Sequence, residues 1–131
     1  MSLPELPGMI PLTALYTGLH GLLAVVLANF VLYVRLRPGR VPAWQPDAAL
    51  RVQANFIENV PLALLLLLVL EIQGTSSTVL HGFGASLFVF RLLHAWGLGT
   101  NEGANYPRLI GAQGTFVVIA AMAVGCIGSV L

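Results

Sequence analysis

The chain is 131 residues long, 57% hydrophobic and only 8% charged, with a formal net charge of +1. Too few polar side chains are present to cover a water-soluble globule, so the sequence reads as an all-α membrane protein, one domain over residues 1–131 with no extramembrane part. A charge this small, with no basic run interleaved with aromatics, excludes nucleic acid as a partner, and the single Cys126 among apolar neighbours excludes a disulfide framework and a thiolate metal site.

Four apolar stretches have the roughly 20 residues a helix needs to cross hydrocarbon. The first runs from about Met9 to Tyr33, behind "MSLPELPGMIP", which lacks a basic n-region and a cleavage site, so it is expected to be retained as a true span. "RPGRVPAWQPD" (37–47) breaks the chain with three prolines and a glycine, and Asp47 stands where it would cap a second helix over about Ala48 to Ile72. Within that helix Pro61 removes a backbone hydrogen bond and is expected to free the carbonyl of Ile57, kinking the segment locally. "QGTSS" (73–77) makes a tight link to a third helix over about Thr78 to Trp96. "GLGTNEGANYP" (97–107) leads to the fourth, about Pro107 to Val130, with Pro107 suited to a first helical turn. The architecture expected is a four-transmembrane-helix bundle.

Basic residues in short loops stay on the cytoplasmic side. The chain has no lysine; Arg35, Arg37, Arg40 and Arg51 flank the first loop and Arg91 and Arg108 the third, while the other ends carry only Glu5 and Glu71. Both termini are therefore expected to face away from the cytoplasm. Tyr33, Trp44, Trp96 and Tyr106 then fall near the cytoplasmic interface, where amphipathic rings favour the headgroup region.

"RVQANFIENVPLALLLLLVLE" (51–71) places Arg51, Asn55 and Glu58 at i, i+4 and i+7, on one stripe of the second helix. Glu58 lies about 10 Å deeper than Arg51, where an unpaired carboxylate costs several kcal/mol, so it is expected to have a partner. The third helix offers Arg91 and His94 at a comparable depth on one face, and Arg108 opens the fourth on the same side. Together they form a polar, strongly cationic layer reached also by Arg35 and Arg37.

Plainer roles compete for each of these residues. Arg35, Arg37 and Arg40 serve equally well as topology determinants whose side chains reach lipid headgroups. Glu58 and Arg91 can be a structural ion pair, Asn55 an interhelical hydrogen-bonding group and His94 an interface residue. His20, Asn29 and His81, scattered singly, read as packing or interface residues, and Cys126 as a small buried or lipid-facing hydrophobe.

The segment 51–71 resembles the signature R-x-x-x-N-x-x-E-x-x-P of the MAPEG family, the membrane-associated proteins of eicosanoid and glutathione metabolism. "FRLLHAWG" (90–97) is similar to the R-x-x-H segment ending the third helix of many members, and "RLIG" (108–111) to the start of their fourth. The likeness spans nearly the whole chain and looks closest to the short bacterial inner-membrane members. It implies a homotrimer of four-helix subunits that binds glutathione between subunits on the cytoplasmic side and takes a lipophilic substrate from the bilayer. By position, Arg51, Asn55, Glu58, Arg91, His94 and Arg108 would bind glutathione, its carboxylates clamped by arginines and its amine received by Glu58. Activation of the thiol would fall to Arg35 or Arg108, as in a transferase or peroxidase acting on lipophilic electrophiles, with no metal. The chain departs from the eukaryotic enzymes at Leu98, Asn59 and Tyr106, where their tyrosines are absent or displaced.

Two other classes stand behind this one. A non-catalytic scaffold or a lipid- or anion-binding trimer would keep the charged layer only to fix helix register. A small multidrug-type transporter would need a carboxylate in its first helix, and residues 9–33 contain none.

Overall fold

The computed structural model describes residues 9–36, 46–100 and 106–131. Over these the chain is helical: α1 (Pro11–Leu36), α2 (Pro46–Ile72), α3 (Ser77–Thr100) and α4 (Tyr106–Gly128). Each is long and apolar enough to cross a membrane, where only internal i to i−4 hydrogen bonds can satisfy the backbone. The four-helix transmembrane reading of the sequence is the fold observed. Glu5, Arg37, Arg40 and Trp44, to which the sequence assigns topology or interface roles, lie outside the described residues.

The helix ends differ from expectation in instructive ways. α2 begins at Pro46, so Asp47 falls inside the first turn and not at the capping position expected of it; proline suits that start because its missing N–H would be unsatisfied anyway. α1 continues to Leu36 and α3 to Thr100, past Gly97 and Gly99, since a glycine costs a helix only about 1 kcal/mol. Pro61 sits within α2 without ending it, and two residues earlier Asn59 Nδ2 donates to the Asn55 carbonyl at 2.9 Å. At the far end α2 closes in a Schellman turn: Gly74 takes φ +87°, with Thr75 N–H donating to Leu70 O and Gly74 N–H to Glu71 O, both at 3.1 Å.

Each helix buries one stripe of three- and four-residue spacing. On α2 it is Ala49, Val52, Phe56, Val60, Ala63, Leu67 and Leu70. On α1 it is Thr13, Tyr16, His20, Leu23, Leu27, Val31 and Val34, and on α4 Gly111, Thr115, Val118 and Met122. The α3 stripe runs Leu80, Leu87, Arg91, His94 and Ala95, so two ionisable groups occupy positions that elsewhere hold hydrophobes. Leu22, Val25, Leu65, Val117 and Val124 point outward, as lipid-facing residues should. α2 and α3 are central: each packs on α1 and on α4, while α1 and α4 do not meet among the described residues.

Two contacts pin the ends of the bundle. The Glu71 carboxylate accepts hydrogen bonds from the backbone N–H groups of Leu12 (Oε2, 3.0 Å) and Thr13 (Oε1, 2.8 Å), so the end of α2 caps the start of α1. Near it the Tyr16 hydroxyl lies 2.8 Å from His81 Nδ1, tying α1 to α3. Toward the opposite end α4 packs on α3 through Gly111, where an added Cβ would overlap the backbone of Phe90 and His94.

Glu71→Ala is expected to cost about 1–2 kcal/mol by orphaning two N–H groups of α1. Gly111→Ala should cost about 1–3 kcal/mol by forcing α3 and α4 apart, whereas Gly18→Ala, which meets nothing within 4 Å, should not lower stability. Thermal unfolding of the three variants in one detergent checks the order.

Candidate functional site

The stripe of α2 that carries Arg51, Asn55 and Glu58 does face one place. With Ala54, His94 of α3 and Arg108 of α4, these residues line a cavity of about 250 Å³. Three helices thus meet at the layer the sequence indicated. Arg51 and Glu58 are exposed, Asn55 and Arg108 half-buried, and His94 buried. The cavity is therefore walled on its inner side and open where Arg51 and Glu58 stand.

Arg91 does not line it. Its guanidinium lies behind the wall, 2% exposed. Nη2 donates to Asn55 Oδ1 at 2.7 Å and faces His94 Nδ1 at 3.5 Å; Nη1 donates to Thr115 Oγ1 at 3.4 Å. The carbon of the guanidinium sits 6.0 Å from the centre of the Phe56 ring, on which a cation is attracted to the π face. Nε is buried and meets no hydrogen-bond partner among the described residues.

The ion pair between Glu58 and Arg91 considered from the sequence is thus not made. Arg91 points to the core side of α2, where Asn55 meets it, while Glu58 is turned outward and bonds to none of the described residues. Arg35, in the last turn of α1, is exposed and not part of the cavity wall. Of the two arginines considered for thiol activation, Arg108 is the one at the cavity.

Thr115 is a functional neighbour that sequence reasoning missed. It is fully buried and donates its hydroxyl proton to Gly111 O at 2.7 Å, leaving the oxygen lone pairs to Arg91. The available signal was its place on the Gly111, Thr115, Val118, Met122 stripe, where a polar group inside a span calls for a partner. Glu71 was missed in the same way, as a capping carboxylate on another helix. The hydrogen bonds of His20 and Asn29 stay within α1, His20 Nδ1 lying 2.6 Å from Tyr16 O and Asn29 Nδ2 donating to Val25 O at 2.9 Å, while the buried His20 ring packs on Phe56 of α2 and Phe88 of α3. Cys126 is half-buried with its thiol 3.7 Å from Leu66 O, consistent with a packing role. No group of three His, Cys, Asp or Glu residues that would suit a metal occurs among the described residues.

The family model for the MAPEG family matches residues 13–128, from the first turn of α1 to the end of α4. The chain belongs to the MAPEG family. It is similar to the inner membrane protein YecN of Escherichia coli strain K12, 32% identical over 91 residues that make up 65% of this chain and 68% of that protein. YecN of an O6:H1 strain of the same species matches to the same extent. No solved structure matches the chain. Four apolar spans and an inner membrane relative make this MAPEG protein an integral inner membrane protein.

Asn55→Ala removes the shortest hydrogen bond of a buried cation and is expected to lower stability by about 1–3 kcal/mol. Ser129→Ala, at an exposed position near the end of the chain, should change it by less than about 0.5 kcal/mol. Chemical or thermal unfolding of both variants in detergent distinguishes them.

Proposed function

We propose that this MAPEG protein is a glutathione-dependent membrane enzyme, a transferase or peroxidase that activates the glutathione thiol toward lipophilic electrophiles. The observation that carries the reading is the mixed chemistry of one cavity: Arg51, Arg108, His94 and Asn55 offer hydrogen-bond donors, and Glu58 is its one carboxylate among the described residues. Glutathione has two carboxylates and one amine, so arginines suit its acid groups and Glu58 its ammonium. A guanidinium beside the thiol stabilises the thiolate, which is the nucleophile, and Arg108 is the arginine at hand for it.

The open side of the cavity favours a site completed by a neighbouring copy in a homotrimer, with the lipophilic substrate arriving from the bilayer. In the orientation that the arginine distribution supports, the cavity opens on the cytoplasmic side and both termini face away from it. A second reading, a non-catalytic scaffold, is favoured by the Arg91, Asn55 and Thr115 bonds, which by themselves would fix helix register.

Thermal unfolding of the solubilised protein with and without millimolar reduced glutathione, against an unrelated tripeptide, separates the two. Binding to the folded state raises the midpoint saturably by mass action, and no shift at several millimolar favours the scaffold. Glu58→Gln and Arg51→Ala should each weaken binding about tenfold or more, whereas Cys126→Ser should leave it unchanged. Equal affinity in all three contradicts the assignment of the cavity.

A further inference from the structure

An arginine enclosed in a membrane span ordinarily has a carboxylate beside it, because an uncompensated charge there costs several kcal/mol. Among the described residues Arg91 has none: its three side-chain partners there are the Asn55 amide, the Thr115 hydroxyl and the His94 ring. A guanidinium offers donors only, so each partner has to turn an acceptor toward it. That requirement propagates outward.

Asn55 gives its carbonyl oxygen to Arg91 at 2.7 Å, which leaves its NH₂ group directed away from the guanidinium. His94 Nδ1 lies 3.5 Å from Arg91 Nη2, and for it to accept from this donor it must carry no proton, which places the ring proton on Nε2. Thr115 closes the network by donating to Gly111 O, and it does not line the cavity. Asn55 and His94 do line it, next to Arg108.

We infer that Arg91 is a positioning residue: by occupying the acceptors of Asn55 and His94 it turns the inner wall of the cavity into a surface of hydrogen-bond donors. The group that docks on this wall is therefore the anionic end of a ligand, while the exposed Glu58 at the mouth receives a cationic end. The polarity of the wall is a property of the chain alone; that the ligand is glutathione rests on the function proposed above. A core arginine serving only to hold α2, α3 and α4 together would set the same amide and ring orientations but leave ligand affinity independent of the wall's donors, which the Asn55→Asp arm measures.

The direct test is nitrogen-15 NMR of the histidine-labelled full chain in detergent, with the His94 signals identified by their loss in His94→Gln. The wild type should show His94 as the Nε2–H tautomer with a bare Nδ1, and Arg91→Met should lose that preference. A proton on Nδ1 in the wild type, or an unchanged tautomer in folded Arg91→Met, overturns the inference. The wild-type spectrum decides even where Arg91→Met fails to fold.

Asn55→Asp supplies a second, independent arm. It keeps an acceptor for Arg91, adds an ion pair, and removes the NH₂ donor from the cavity wall. The expected result is an unfolding midpoint at or above that of the wild type, together with an affinity for reduced glutathione at least tenfold lower. Full affinity in Asn55→Asp overturns the donor wall. If the wild type does not bind glutathione at all, the proposed function fails while the tautomer measurement still decides this inference.

Discussion

The structure depends on a buried cation that meets no anion among the described residues. Arg91 occupies a core position of α3, in a stripe it shares with Leu80, Leu87, His94 and Ala95, and the cost of keeping a guanidinium there is met by neutral oxygen and nitrogen acceptors and by the Phe56 ring. The acceptors come from α2, α3 and α4, so the same bonds that solvate the charge also hold three helices in register. Asn55 and His94 are shared between the core and the cavity, which is how a structural requirement becomes a chemical one.

The two ends of the bundle solve opposite problems with opposite charges. At the end where α2 meets the start of α1, a single carboxylate, Glu71, satisfies backbone N–H groups that would otherwise be orphaned beside lipid. At the end where α4 begins, Arg51 and Arg108 gather around a recess with one carboxylate, Glu58, at its open side. Helix ends attract anions at their N-termini, but here the positive potential at the recess comes from arginine side chains on two separate helices, α2 and α4, which gives the site shape as well as sign. The close approach of α3 and α4 at Gly111 brings the His94 backbone against α4, three residues along the helix from Arg108.

Much of this was legible in the sequence, for identifiable reasons. Four spans follow from length and hydropathy, because lipid forbids any unpaired backbone. The layer of Arg51, Asn55, Glu58, His94 and Arg108 follows from helical spacing plus the rule that charge inside a membrane must be grouped. What spacing alone does not reveal is the rotation of each helix about its own axis. Charge complementarity argues for Glu58 as the partner of Arg91, yet α2 is turned so that Asn55 faces the core and Glu58 does not. Thr115 was hidden among small residues, and the capping role of Glu71 becomes visible only once α1 is known to start beside the end of α2. The end of α1, by contrast, carries Arg35 to an exposed position outside the cavity wall, a displacement that no periodicity in the first loop announces.

On the function proposed, the cavity recognises the negative charge of its ligand. Calorimetric titration of the detergent-solubilised protein with reduced glutathione, and in parallel with its diester, in which both carboxylates are neutral, tests it most directly. Saturable binding of glutathione is expected, with binding of the diester at least tenfold weaker. Equal binding of the two would contradict it.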